Sequence, residues 1–91
     1  VMEITFDPDK RQKTMEERGL DFADAAKVFA GNHFDMADER FDYGEARFLT
    51  FGWLDGRAVS LVWTPRGNGR RIISMRHVHA KELEARKSAM D

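Results

Sequence analysis

There is no cysteine in the 91 residues, so neither a disulfide nor a thiolate–zinc site braces the fold. No apolar run approaches the ~20 residues a membrane span needs. No charged segment followed by an apolar stretch and a cleavage site opens the chain, so a cytoplasmic protein without membrane contact is expected. Nor is one sign of charge in excess. Lys+Arg number 15 against 16 Asp+Glu, a net charge of -1, which excludes wholesale polyanion binding by total charge. What is present suffices for one core: 42% of residues are hydrophobic and 11% aromatic, a globular composition. Residues 1–91 therefore read as a single domain. A chain this short buries only roughly 60% of its unfolded surface, so its stability alone is expected to be modest and to rise with a partner.

The balanced total conceals a split. Residues 1–56 hold seven basic against thirteen acidic side chains, a net of -6, whereas residues 57–91 hold eight against three, a net of +5. Five of those eight are arginines between positions 57 and 76: Arg57, Arg66, Arg70, Arg71 and Arg76. Arginine presents a planar, permanently charged fork that suits phosphate, so the second half is a candidate polyanion surface. Solvated charges along strand edges are the plainer alternative.

Local signals outline the elements. Glu3 to Phe6 suits a short strand, and Asp7-Pro8 reads as a helix cap followed by proline at the first helical position. That helix should run to about Arg18, where Gly19 can adopt the positive φ of a helix end. Asp21 can cap a second helix, with Phe22, Ala25, Ala26 and Phe29 at helical spacing, stopped by Gly31-Asn32. His33 to Glu45 is polar and acidic and suits an edge strand followed by an exposed loop. From Arg47 to Leu54 and from Arg57 to Thr64 the pattern is that of strands, joined by Asp55-Gly56, the strongest short hairpin signal. With those two residues as the loop, paired positions sum to 111. Phe48 then faces Trp63, Leu49 faces Val62 and Phe51 faces Ser60. A second turn in Pro65 to Gly69 leads into a strand over 71–76, and Ala80 to Met90 has the composition of a closing helix.

This register puts Leu49, Phe51, Trp53 and Val62 on one face, and Phe48, Leu54, Val59, Leu61 and Trp63 on the other, with Arg57 on the second. One face must receive the N-terminal helices; the other is covered by the C-terminal helix or left for a partner. The sides taken by Arg66 and Arg76 depend on the second turn and stay open.

Several pieces occur in a recognisable order: F-D-P-x-K over Phe6 to Lys10, then Gly19, Phe22, Ala25 and Phe29, then Y-G-E-x-R over Tyr43 to Arg47. Gly52, Thr64-x-Arg66 and R-I-I-S-x-R over Arg71 to Arg76 follow. This set, spanning residues 6 to about 82, resembles the BrnT family of bacterial ribonuclease toxins. The family usually has W-D-P and then N-x-x-K-H-G; here stand Phe6-Asp7-Pro8, Thr14 and Glu17-Arg18-Gly19. His77 occupies the position of a basic residue that commonly follows the last strand. The resemblance implies an α+β, RelE-like fold: two N-terminal helices packed on a small antiparallel meander, with a C-terminal helix. It also implies an RNA-cutting growth inhibitor, neutralised by a cognate BrnA-like antitoxin that itself binds operator DNA, so that the toxin reaches DNA only indirectly. The toxin is then a monomeric protomer whose basic sheet surface the antitoxin covers.

RNA carries its own nucleophile, the ribose 2′-OH, so cutting it without a metal needs a proton acceptor, a proton donor and cations for the developing charge. Through the resemblance, Arg47, Arg66 and Arg76 take catalytic positions, with Arg71 among the family's basic positions and Lys10 as a further phosphate contact; Arg57, from the basic second half, and His79 are also phosphate-contact candidates. An arginine with a pKa above ~12 is a poor base, which makes His77 or His79 the proton carrier, while Glu45 orients Arg47 or acts as base. His-x-His with His33 distant is no convincing zinc set, and no cofactor or metal is expected. Glu45 and Arg47 also suit a simple cross-strand ion pair, and Trp53 and Trp63 suit core packing better than base stacking. A reading from another class is a catalytically weak RelE-like binding module that mainly holds an antitoxin and shapes operator binding.

Overall fold

The structure is a computed structural model and describes residues 3–90. Strand β1 (Ile4–Phe6) leads into helix α1 (Pro8–Arg18). Asp7 accepts from the Asp9 N–H at 2.9 Å, and Gly19 ends the helix at φ 67, its N–H donating to the Met15 carbonyl. Proline at N1, a carboxylate cap and an αL glycine are the three local signals that bound α1.

Asp21 caps a single 3-10 turn, Phe22–Asp24, before the short helix α2 (Ala25–Ala30) begins. The sequence suggested one continuous helix here. The tighter turn changes the phase, so Phe22, Ala25, Val28 and Phe29 are buried while Ala26 is exposed.

Strands β2 (His33–Ala37), β3 (Phe48–Leu54), β4 (Arg57–Arg66) and β5 (Gly69–His77) follow, and helix α3 (Ala80–Met90) closes the fold. The sheet order is β1-β5-β4-β3-β2. The expected meander is its centre, with one strand added at each edge. The sheet is mixed rather than wholly antiparallel, because β1 pairs parallel to β5, Thr5 opposite Arg71. Gly69 permits that approach: a Cβ there would lie 2.3 Å from the Glu3 carbonyl oxygen. Beyond the short β1, the guanidinium of Arg18 donates to the Met75 carbonyl at 2.9 Å, so α1 occupies the β5 edge where β1 has ended.

The hairpin register is the expected one, with Phe48 opposite Trp63 and Leu54 opposite Arg57. Asp55 and Gly56 take φ 51 and φ 81, both positive as a two-residue hairpin turn demands. Two clusters result. Leu54, Val59, Leu61, Trp63, Ile72 and Met75 pack under Leu20, Phe22, Val28 and Phe29. On the other face, Leu49, Phe51 and Ala58 pack with Leu83, the one buried residue of α3. Both faces of the sheet are thus used, but α3 reaches only part of the second.

Candidate functional site

Four of the candidate arginines share that second face, spread along β4 and β5. Thr64 is opposite Arg71 and Ser60 opposite Arg76. Thr64 and Ser60 are four apart on one strand and share a face, so Arg71 and Arg76 share it too. The two arginines are five positions apart, and strict alternation would have put them on opposite sides. A bulge prevents this: Val62 pairs with Ser74 and Trp63 with Ile72, leaving Ile73 as the extra residue on β5. Arg66, two positions beyond Thr64, completes the set on β4.

Arg47 enters from the residue before β3. Its Nε donates to one oxygen of Glu45 at 3.1 Å, and Arg66 reaches the other oxygen at 3.4 Å. One carboxylate therefore holds two arginines on one face. Arg47 is the better fixed, its guanidinium carbon lying 4.0 Å from the Tyr43 ring centroid. Its side chain is 25% exposed, against 57% for Arg66.

The loop that presents Glu45 has its own anchor in Asp38, whose side chain is fully buried. Asp38 accepts two hydrogen bonds from the Arg40 guanidinium, each 2.8 Å, and one from the Tyr43 hydroxyl at 3.3 Å. The Arg40 hydrogen bonds, opposed by burial, hold the Asp38 carboxyl down at about 2 and raise the Arg40 pKa in turn. The far end of the loop is tied by the Thr64 hydroxyl, which donates to the Ala46 carbonyl at 2.6 Å, and by the Asp38 N–H, which donates to the Arg47 carbonyl at 2.8 Å. Sequence reasoning missed Asp38 and Arg40 and placed Tyr43 in the Y-G-E-x-R motif without assigning it a catalytic role. An acid and an arginine two apart in a polar loop carry no periodic signal.

The other candidates distribute unevenly. Arg76 donates to Glu82 of α3 at 3.0 Å, and among the described residues Arg71 has no carboxylate partner. His79 is exposed, and its carbonyl accepts the first hydrogen bonds of α3. Lys10 lies with Lys13, Thr14, Ile73 and Ser74 around a hollow at the β5 edge. Four candidates are not brought to Glu45: Arg76, opposite Ser60, and His79, which follows Val78 beside Ala58, lie roughly 20 Å or more along β4 from Arg66, and two more are farther or on the other face. Arg57 pairs with Leu54 on the opposite face, nine residues along β4 from Arg66, roughly 30 Å. His77 neighbours Arg76 in sequence and therefore points to the other side, opposite Val59, where its Nδ1 is buried without a hydrogen-bond partner among the described residues.

Trp63 is buried and donates to the Thr50 hydroxyl at 2.7 Å, which in turn donates to Asp35. It is a core residue, whereas Trp53 is 40% exposed. Arg70 also lies on the helix-covered side, 4.0 Å from the Phe29 ring centroid and 4.5 Å from that of Trp63. Among the described residues, no three His, Asp or Glu side chains converge as a metal site, and no helix is long and apolar enough to cross a membrane.

Together these features define a small α+β domain whose half-open sheet face is built from arginines around one carboxylate, a surface suited to phosphate. The family model for the ribonuclease toxin BrnT of type II toxin-antitoxin systems matches residues 6–82, and the chain belongs to that family. BrnT family members are ribonuclease toxins, and a type II toxin implies a cognate antitoxin and an RNA substrate. No curated protein matches the chain.

Proposed function

We propose that this toxin cuts RNA without a metal on the sheet face lined by Arg47, Arg66, Arg71 and Arg76. The observation that carries the reading is Glu45 held between Arg47 and Arg66. Substrate phosphate draws the exposed Arg66 off Glu45, while Arg47 stays fixed against Tyr43. The released carboxylate oxygen takes the proton of the ribose 2′-OH as that oxygen attacks the neighbouring phosphorus. Arg66 and Arg71 offset the charge that grows on the phosphorane, and Arg76, opposite Ser60 and roughly 20 Å along β4 from Arg66, holds a flanking phosphate. The leaving 5′-oxygen takes its proton from solvent water, while His79, which follows Val78 beside Ala58 at the far end of β4, contacts a flanking phosphate. Lys10 and Lys13 extend the cationic surface along the β5 edge for flanking phosphates.

The test is cleavage of naked RNA by the purified protein, with and without EDTA, beside an Arg66→Ala/Arg76→Ala variant whose fold is checked by circular dichroism. Cutting that survives EDTA and vanishes in the folded variant is the expected result. A folded wild type that does not cut, on naked RNA or on ribosomes, sinks the reading in favour of a module that only binds.

A BrnA-like antitoxin covers the same arginines, and operator DNA is reached only through it. The isolated toxin is a monomer on this reading. A large assembly from the toxin alone in a sizing experiment counts against it.

A further inference from the structure

Beside the arginine cluster lies a concavity of about 420 Å³, walled by Ala37, Tyr43, Ala46 and Phe48, to which the phosphate chemistry gives no role. Phe41 stands at it with 70% of its surface exposed, the most exposed of the large hydrophobic side chains among the described residues. Its ring is 5.8 Å from that of Tyr43, edge to face. The same Tyr43 ring supports the Arg47 guanidinium on the phosphate face, and Arg47 lines the concavity as well. An exposed aromatic surface and a phosphate-binding cation thus meet across one residue.

We infer that this concavity is a nucleobase subsite, in which an unpaired base next to the scissile phosphate stacks on Phe41. The inference rests on the RNA-cutting reading proposed above and adds to it where the base goes. The volume lies near the lower end of the roughly 300–1,000 Å³ typical of small-molecule sites, room for a single base. A base has a π-face and no net charge, so it tolerates a rim that would repel phosphate. That rim is acidic: Glu39, Asp42 and Glu45 border the concavity. Carboxylates are acceptors only. They favour adenine, cytosine and guanine, which present exocyclic amino groups, over uracil, whose single N3–H lies between two carbonyl oxygens that repel a carboxylate. Asp38 adds no further repulsion, because Arg40 neutralises it.

The experiment uses fluorescence anisotropy of labelled 2′-O-methyl hexanucleotides, in which the nucleophile is blocked and binding is read without cutting. Phe41→Ala is expected to weaken binding of the adenine and cytosine oligomers by roughly 5- to 150-fold. Phe41→Trp should restore it, and the wild-type preference over oligo-uridine should shrink in the alanine variant. The slope of log affinity against log salt should stay unchanged in Phe41→Ala, while Arg66→Ala lowers it by about 0.7. If Phe41→Ala binds as the wild type does while Arg66→Ala loses affinity and slope, the base subsite is overturned and the phosphate face stands. If Phe41→Ala loses salt slope as well, the residue acts through the cationic cluster and stacking is overturned. If the wild type shows no salt-dependent RNA binding, the phosphate face itself is wrong and this subsite falls with it.

Discussion

The guanidinium carbon of Arg47 lies 4.0 Å from the centroid of the Tyr43 ring, and the hydroxyl of that tyrosine donates to buried Asp38. The ring is thus the link between the loop's anchor and the arginine face. A cation over an aromatic ring is worth ~0.5–2 kcal/mol, enough to decide whether a long side chain is already in place when substrate arrives.

Tyr43→Phe keeps the ring and loses only a 3.3 Å hydrogen bond, so RNA affinity should change less than about threefold. Tyr43→Ala removes the support for Arg47 and should cost about 3- to 30-fold. Binding titrations on the two folded variants check this. Equal losses from both would mean that the hydroxyl, not the ring, matters.

Arg71 and Arg57 are both strand arginines, but they stand on opposite faces of the sheet. Arg71→Ala should lower the salt slope of single-stranded RNA binding by about 0.7, the share of one phosphate contact. Arg57→Ala should leave the slope unchanged. Anisotropy across a salt series measures both, and equal effects would point to diffuse charge rather than a built face.

The Asp38 carboxyl is held at about 2, below its ordinary value of 3.8. An acid whose pKa is depressed on folding stabilises fully above its unfolded pKa and loses that contribution as pH falls through the folded value. The window here is pH 4 down to 2. The contribution is at most about 2 kcal/mol, since Arg40 is 56% exposed and partly screened. Asp21, lowered by its hydrogen bond from Arg11, acts in the same direction. Asp38→Asn should therefore be less stable at neutral pH, with the gap from wild type closing as pH approaches 2. Urea titrations at several pH values test this, and a gap independent of pH would remove the charge from the explanation.

A Cβ at Gly52 would lie 2.7 Å from Val28 Cγ1, 3.2 Å from the His33 Cβ and 3.3 Å from the Asn32 carbonyl. Here β3 receives α2 and the chain that follows it. Gly52→Ala should cost about 1–3 kcal/mol from overpacking, seen as a lower denaturation midpoint with RNA affinity retained in the folded fraction. A neutral substitution would mean that α2 shifts without cost.

Much of the site was legible as residue types: Arg47, Arg66, Arg71, Arg76 and Glu45 stand out as an ordered set of charges. Their side of the sheet was not. Alternation alone separates Arg71 from Arg76, and only the bulge at Ile73, a feature of the β4–β5 pairing, reunites them. The same alternation takes His77 away from its neighbour Arg76. Asp38 and Arg40 escaped notice because their roles arise when the loop folds back between β2 and β3.

The sequence by itself determined what depends on local backbone preference. Asp7, Pro8 and Gly19 bound the first helix, and Asp55-Gly56 determines both a turn and, by alternation, the register of seven residue pairs. The ordered motifs also carry family membership. Tertiary structure alone decided the parallel seat of β1 beside β5, the bulge that gathers the arginines, and the chain of contacts from Asp38 through Tyr43 to Arg47. The first depends on pairing between strands far apart in sequence, the second on a one-residue insertion in the β4–β5 hairpin, and the third on the burial of a carboxylate. No local propensity encodes any of them.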